Sequence, residues 1–286
     1  MYQSIIPADN KIGVSFRSAV KTQKMIFVAG LPSSGKSLML QQLAILAHQI
    51  NRPVYTIQWD ASRLSFETEE GLKKYPEHND LTHPGIRKAA GIWIRQAVQA
   101  WFEHHKSTSA ILIAELPVVG GRFVELLQPI KDDAEAILSS RDVLFFVPIP
   151  THEMRKLITS HRAETFANPR NEQETKDAPI SIVQNEWRIT RQLYNAWNNN
   201  QGSSGSDSDY SPEIYTHVFN RLLRFRHFEI LNIDQSFGKG DSAYDRPVPV
   251  TEIFASDAEV SEILATLERL FPGKEAEKAT DGWSEY

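Results

Sequence analysis

The chain is predicted to be an α/β protein, a three-layer αβα sandwich in which helices cover both faces of a five-stranded parallel sheet. Five short apolar segments have the length and composition of buried strands, and segments with helical periodicity separate them. No Asn-Gly turn joins successive strands, so the sequence does not favour hairpins. The strand segments are residues 25–29, 54–59, 110–114, 143–147 and 228–233.

The length and composition favour a single folded domain. Of the 286 residues, 41% are hydrophobic, which is enough to bury a sizeable core. We expect this domain to span residues 1–273, with a flexible, Asn/Ser/Gly-rich insertion at 198–211. Residues 274–286 are expected to form a disordered tail.

The charge and the cysteine content exclude several classes of function. A net charge of -5 provides no basic field for nucleic acid, so no nucleic-acid partner is expected. The absence of cysteine rules out disulfides, thiolate metal sites and a cysteine nucleophile, and it fits a reducing compartment. No apolar run approaches the ~18 residues of a membrane-spanning helix. A soluble cytoplasmic protein without a membrane partner is therefore expected.

A phosphate-binding motif follows the first strand. Residues 30–37 read Gly-Leu-Pro-Ser-Ser-Gly-Lys-Ser and fit Gly-x-x-x-x-Gly-Lys-Ser/Thr, the P-loop pattern, at every fixed position. The motif lies between a strand and a helix, which is the context that this pattern requires. Backbone amides of such a turn and the positive end of the helix favour an anion. The expected nucleotide-binding residues are Gly30, Leu31, Pro32, Ser33, Ser34, Gly35, Lys36, Ser37 and Leu38.

The expected cofactors are ATP and Mg²⁺. Lys36 is placed to reach the β- and γ-phosphates, and the hydroxyl of Ser37 is placed to bind Mg²⁺. The sequence contains no Asn-Lys-x-Asp motif of the kind that reads guanine, because Asn10-Lys11-Ile12-Gly13 precedes the motif and lacks the aspartate. ATP is therefore preferred to GTP.

Carboxylates follow two of the predicted strands. Asp60 ends the second strand and Glu115 the third, so both are expected at the carboxyl edge of the sheet, beside the motif. Asp60 is predicted to act as the catalytic base or as a group that orients Mg²⁺, and capping of the next turn is the alternative. Arg63 and Arg122 are candidates for contact with an anionic acceptor or phosphate, and a solvated role is the alternative for Arg122.

The motif and the order of elements resemble the P-loop small-molecule kinases, a group that includes nucleoside monophosphate kinases, adenylylsulfate kinases and zeta-toxin-like phosphotransferases. Leu38 departs from this group, in which a second Ser or Thr is frequent. The resemblance implies that Glu115 is the acidic Walker B residue, which acts on Mg²⁺ through water. It also implies that residues 151–180 form a lid that closes over ATP and carries Arg155, Arg162 and Arg170.

The predicted function is transfer of the γ-phosphate of ATP to a small molecule, with Lys36, Asp60, Arg155 and Arg162 as catalytic residues. Glu115, Ser37 and Asp60 are the candidate metal-binding residues. Two alternatives stay open: an ATPase or nucleotide-dependent switch that acts with a protein partner, and a nucleotide-binding module without chemistry. The sequence gives no indication of the acceptor.

Overall fold

The computed structural model describes residues 2–77, 81–168, 179–198, 210–237 and 247–286. The strands are β1 (Met25–Ala29), β2 (Val54–Gln58), β3 (Ile111–Leu116), β4 (Val143–Pro150), β5 (Phe228–Ile233) and β6 (Thr251–Glu252). The helices are α1 (Lys11–Thr22), α2 (Lys36–Gln49), α3 (Trp59–Phe66), α4 (Glu69–Lys74), α5 (Pro84–His105), α6 (Asp133–Leu138), α7 (His152–Ala167), α8 (Ile180–Trp197), α9 (Pro212–Leu222), α10 (Asp257–Leu270) and α11 (Glu275–Asp281).

The described strands form one parallel sheet in the order β5-β4-β1-β3-β2-β6. This confirms the predicted α/β class and the parallel pairing. The predicted count of five strands is wrong by one, because β6 adds a short edge strand that pairs with Tyr55 and Thr56 of β2. Both residues of β6 are exposed and polar, so the segment lacks the apolar run by which the other strands are recognised.

Helices pack on both faces of the sheet, as alternate residues of β1 show. Met25, Phe27 and Ala29 belong to a core cluster with α5, α9, α10 and α11. Ile26 and Val28 belong to a second cluster with α1, α2 and α7. All five of these β1 residues are buried, which explains why the strand reads as a continuous apolar run. The architecture is therefore compatible with the predicted three-layer sandwich.

The connections place a crevice at the carboxyl ends of β1 and β3. After β1 the chain enters α2, which packs on one face of the sheet, and after β3 it leads to α6, which packs on the other. Adjacent parallel strands whose connections go to opposite faces leave an opening at their carboxyl ends, where ligands bind in such sheets. The motif at residues 30–37 follows β1 at this opening.

Strand β4 continues through two prolines that were predicted to end it. Pro148 and Pro150 pair in register with Leu231 and Ile233 of β5. On the other side of β4 the ladder with β1 ends at Phe146. Prolines are tolerated there because no neighbouring strand requires a hydrogen-bond donor from them.

Both ends of the described chain are more ordered than predicted. Helix α1 forms where no periodicity had been recognised, and Phe16 is fully buried. Residues 274–286 do not form the expected disordered tail: they contain α11, and the side chain of Trp283, two residues after this helix, packs into the hydrophobic core.

Most of the predicted insertion, residues 199–209, and the second part of the predicted lid, residues 169–178, lie outside the described residues. No helix in the described part of the chain has the length and apolar character needed to cross a bilayer.

Candidate functional site

Residues 30–37, called the 30–37 loop below, form a tight turn between β1 and α2. Ser33 and Gly35 both adopt positive φ angles, 57° and 91°. Gly35 is the N-cap of α2, and no side chain of the described residues caps this helix end. The backbone N–H groups of the first turn of α2 therefore remain available for an anion, and the helix dipole favours negative charge at that position.

Lys36 and Ser37 both contact Glu115. The Ser37 hydroxyl donates to Oε2 of Glu115 at 3.0 Å, and Nζ of Lys36 lies 3.7 Å from Oε1. Nζ of Lys36 also donates to the carbonyl oxygen of Leu31 at 2.8 Å, so its ammonium group folds back onto the loop. The structure thus brings together two residues of the motif and the carboxylate that was expected beside them.

Glu115 reaches the loop because of strand register. It is the fifth residue of β3, where it pairs with Val28 of β1 on one side and Gln58 of β2 on the other. Its side chain is mostly buried but retains some exposure. The hydroxyl of Ser37 and the carboxylate of Glu115 supply oxygen donors, which are the ligands that Mg²⁺ prefers, and Mg²⁺ takes few protein ligands. These two residues fit a magnesium site.

The charge of Lys36 is held in a buried environment. Burial lowers the pKa of its ammonium group, and the carboxylates of Glu115 and Glu186 oppose this effect, whereas Arg162 and Arg122 add to it. The free protein therefore carries several cations close to Lys36. A polyphosphate would relieve their mutual repulsion, because it adds negative charge where positive charge is crowded.

Arg155 lies against the loop. It is buried, and its guanidinium donates to the carbonyl oxygen of Pro32. The ring of Tyr210 packs against the guanidinium, whose carbon lies 5.3 Å from the ring centroid. Thr151 caps α7 by accepting from the N–H of Met154 at 3.2 Å, which fixes the start of the helix one turn before Arg155. In this structure Arg155 supports the loop from the side, and the resemblance had implied a lid residue.

Arg162 lies on the same helix as Arg155, two turns further on, as the seven-residue spacing predicted. It is partly exposed, and its charge lowers the pKa of both Lys36 and Arg155, so it lies within electrostatic reach of the loop. Arg170, the third predicted lid arginine, lies outside the described residues.

Arg122 is presented by a strained loop after β3, residues 117–123. Four residues of this 117–123 loop have positive φ angles: Val118 at 60°, Gly120 at 77°, Gly121 at 81° and Phe123 at 59°. A β-branched residue such as valine rarely adopts this conformation, and such strain tends to occur at functional sites. The strain is compatible with a loop that is held in one shape to position Arg122.

Glu186 is a functional candidate that the sequence analysis missed. It lies on α8, is almost fully buried, and accepts from Arg122. It occupies the same buried face of α8 as Val183, Trp187 and Thr190. A glutamate inside an apolar stripe was the available signal, because a charged residue is rarely buried without a specific partner.

Tyr215 was also missed. Its hydroxyl oxygen accepts from the backbone N–H of Leu31 at 2.7 Å, and Ser34 donates to the carbonyl oxygen of Leu31 at 2.8 Å. Burial raises the pKa of the Tyr215 hydroxyl to about 12, so the group stays neutral. Nothing in the local sequence distinguishes Tyr215 from Val218, Phe219 and Leu222, the other residues on the buried face of α9.

The structure does not bring Asp60 to this group. Asp60 is in the first turn of α3 and 63% of its side chain is exposed. Among the described residues its ionic partner is Arg63, at 3.4 Å. Arg63 in turn is engaged by Glu67 at 2.7 Å, so its guanidinium is already matched by carboxylates. Glu115 and Glu186 are the acids that act on Lys36, and Asp60 is not among them.

No protein-family model matches the chain, and no curated protein matches its sequence. The function is therefore inferred from the geometry of the site.

Proposed function

We propose that the protein is an ATP-dependent phosphotransferase that moves the γ-phosphate of ATP to the hydroxyl of a small molecule. One observation carries this proposal: Lys36 and Ser37 of a loop that ends a parallel strand both contact Glu115 of the neighbouring strand. A lysine, a hydroxyl and a carboxylate at the carboxyl edge of such a sheet form the combination that holds a nucleotide polyphosphate with its metal.

Each residue has a distinct part in this proposal. The N–H groups of the 30–37 loop and of the first turn of α2 bind the phosphates, and Lys36 moves from the carbonyl of Leu31 to the β- and γ-phosphates. Ser37 and Glu115 hold Mg²⁺, Glu115 through water. When bound, Mg²⁺ neutralises charge that develops on the phosphates.

Arg155, Arg162 and Arg122 supply positive charge around the same loop. Phosphoryl transfer spreads negative charge over the transferred group, and fixed cations stabilise that charge without reorganising during the reaction. Because Arg155 already bonds the loop in the free protein, we propose that it sets the shape of the site, and that Arg162 approaches the phosphates. A reducing cytoplasmic setting, suggested by the lack of cysteine, is part of the same proposal.

The test is Lys36→Ala in the full chain. Wild-type protein with Mg²⁺ and γ-labelled ATP is incubated with fractionated small molecules from the source cell, and the label is followed. We expect transfer to a small molecule in the wild type and a loss of about 100-fold or more in Lys36→Ala. Lys106→Ala is the matched control, because Lys106 is an exposed lysine near the start of β3, at the opposite edge of the sheet.

Two results would contradict the proposal. Wild-type protein that does not bind ATP has no phosphotransferase function. Label that appears only as free phosphate, with hydrolysis accelerated by an added protein fraction, identifies a nucleotide-dependent switch instead.

A further inference from the structure

One carboxylate oxygen near the 30–37 loop is buried and unused. The side chain of Glu186 is 2% exposed and one of its oxygens accepts from Arg122. Its other oxygen, Oε2, has no hydrogen-bond partner among the described residues. A buried carboxylate oxygen without a donor is unfavourable, because the group has lost water and gained nothing in return. An unused acceptor of this kind indicates a place for a donor that the free protein does not supply.

The surroundings of Glu186 connect it to the proposed phosphate site. Its charge acts on both Lys36 and Arg155, the two cations that bond the 30–37 loop. The next residue, Trp187, packs against Tyr210 in a tilted arrangement with ring centroids 5.0 Å apart, and Tyr210 packs on Arg155. Helix α8 is therefore connected to the 30–37 loop by a series of side-chain contacts that ends at Arg155, which bonds the loop.

A second buried glutamate shows what distinguishes Glu186. Glu125 is also almost fully buried, pairs with Lys88 at 2.9 Å, and leaves its Oε2 without a partner among the described residues. However, a Cβ placed on Gly91 would lie 2.0 Å from that oxygen, so Oε2 of Glu125 is pressed against the backbone of α5. On the side of α5 there is no room for a donor to that oxygen. The acids with the leading effects on the pKa of Lys36 are Glu115 and Glu186.

We propose that Oε2 of Glu186 receives the hydroxyl of the acceptor molecule and takes its proton during phosphoryl transfer. This inference rests on the proposed phosphotransferase function and names both the base and the acceptor class, a small molecule with a free hydroxyl. Glu186 replaces Asp60 in this role, because Asp60 is mostly exposed and is bonded to Arg63, whereas Glu186 is buried. Arg122 holds the other oxygen of Glu186 and so fixes the direction in which Oε2 points.

The transfer step balances as follows. The acceptor oxygen forms a bond to the γ-phosphorus while the bond between that phosphorus and the β–γ bridging oxygen breaks, which releases ADP. The hydroxyl proton passes to Oε2 of Glu186 and from there to solvent after the product leaves. No oxidant or reductant takes part.

The test compares Glu186→Gln with Glu125→Gln in the full chain. Glutamine keeps the size of the side chain and an oxygen for Arg122, but it cannot accept the proton. The probe is Mg²⁺ with γ-labelled ATP, and turnover is counted as label transferred to the fractionated small molecules of the source cell, with label released as free phosphate recorded separately. Binding of a fluorescent ATP analogue is measured in parallel.

We expect Glu186→Gln to lose about 100-fold or more in turnover, while its ATP affinity stays within about three-fold of the wild type. A residue that only stabilises the fold would not separate turnover from ATP affinity in this way. Glu125→Gln should match the wild type in both measurements.

Three results would overturn the inference. Turnover in Glu186→Gln within about three-fold of the wild type leaves the proposed function standing without this base. A parallel loss of ATP binding in Glu186→Gln assigns Glu186 to the nucleotide site instead. A wild type that binds ATP but shows no turnover removes the proposed function and this inference together.

A second variant covers the case in which Glu186→Gln does not fold. Glu186→Asp keeps the negative charge that Arg122 requires but withdraws the carboxylate by one methylene. A base that must reach the acceptor predicts a turnover loss of about ten-fold or more with the ATP affinity retained. Unchanged turnover in a folded Glu186→Asp would also overturn the inference.

Discussion

Tyr215 of α9 accepts a hydrogen bond from the backbone N–H of Leu31 at 2.7 Å, although 184 residues separate them in the sequence. The hydroxyl of Tyr215 also limits the space beside Gly30, since a Cβ at that glycine would lie 2.5 Å from it. The side chain of Tyr215 is fully buried and cannot move aside easily. The shape of the 30–37 loop is therefore set partly by a helix that follows it late in the chain.

This contact predicts coupling between Gly30 and Tyr215. Gly30→Ala should destabilise the protein by about 1–3 kcal/mol because its methyl group meets the Tyr215 hydroxyl. Tyr215→Phe should cost about 1–3 kcal/mol because the N–H of Leu31 loses its buried acceptor. In the double variant the clash is absent, so urea unfolding should give a loss smaller than the sum. Strictly additive losses would contradict the contact.

Ser37 and Glu115 are predicted to govern the Mg²⁺ requirement. Ser37→Ala and Glu115→Gln each remove an oxygen group that the proposal assigns to the metal, so the Mg²⁺ concentration for half-maximal ATP turnover should rise by about ten-fold or more. Ser37→Thr keeps the hydroxyl and is the matched control. A Mg²⁺ titration of turnover checks this, and an unchanged midpoint in Ser37→Ala would exclude the assignment.

From the lowered pKa of the Lys36 ammonium group we expect the affinity for ATP to depend on pH. Burial lowers the pKa of its ammonium group in the free protein, and bound polyphosphate raises it again because negative charge favours the protonated form. Between these two pKa values ATP binding takes up a proton, so affinity should fall as the pH rises toward 10.5, the ordinary lysine value. Calorimetry in two buffers of different ionisation enthalpy measures the uptake. Lys36→Arg stays charged over this range and should lose the dependence.

From the burial of Trp283 we expect the last helix and the residues after it to contribute to the stability of the fold. Its side chain is buried in the core cluster below α11, and Thr280 of the same helix donates to the carbonyl oxygen of Pro84 at 3.0 Å. Trp283→Ala should lower the free energy of unfolding by about 3–5 kcal/mol, as buried aromatic truncations do. The control is Phe254→Ala, an exposed aromatic whose loss should change it by less than about 0.5 kcal/mol. Equal effects in urea unfolding would show that the tail is not packed in solution.

Local signals predicted much of the fold. The strands β1 and β5 begin and end where their apolar runs do, and Ser256 and Glu259 form the capping box that starts α10. Helix α1 carried a local signal that went unused, since Ile12, Phe16, Ala19 and Val20 follow helical spacing after Asn10, the N-cap. Strand β6 has no apolar run and is held by its pairing with β2, so tertiary contacts stabilise it more than its own propensity does.

The candidate site divides in the same way. Lys36 and Ser37 were predicted from a fixed spacing within eight residues, and Glu115 from its position at the end of a strand. Glu186 and Tyr215 were not predicted, because each lies on the buried face of a helix, and the apolar pattern of such a face indicates only packing in the core. Asp60 had the same strand-end signal as Glu115, but the chain turns into α3 there and directs its carboxylate to Arg63.

The α/β class, the turn that presents backbone amides to an anion and the helix that follows it can be predicted from the amino-acid order, because they depend on neighbouring residues. Apart from Glu115, the charged groups around Lys36 are set only when the chain folds. Their placement depends on the order β4-β1-β3 in the sheet and on the docking of α7, α8 and α9, which bring Arg155, Glu186 and Tyr215 to the loop across more than a hundred residues of sequence. The charge of each side chain follows from its residue type, but the electric field at a site is the sum over charged groups that only folding brings together.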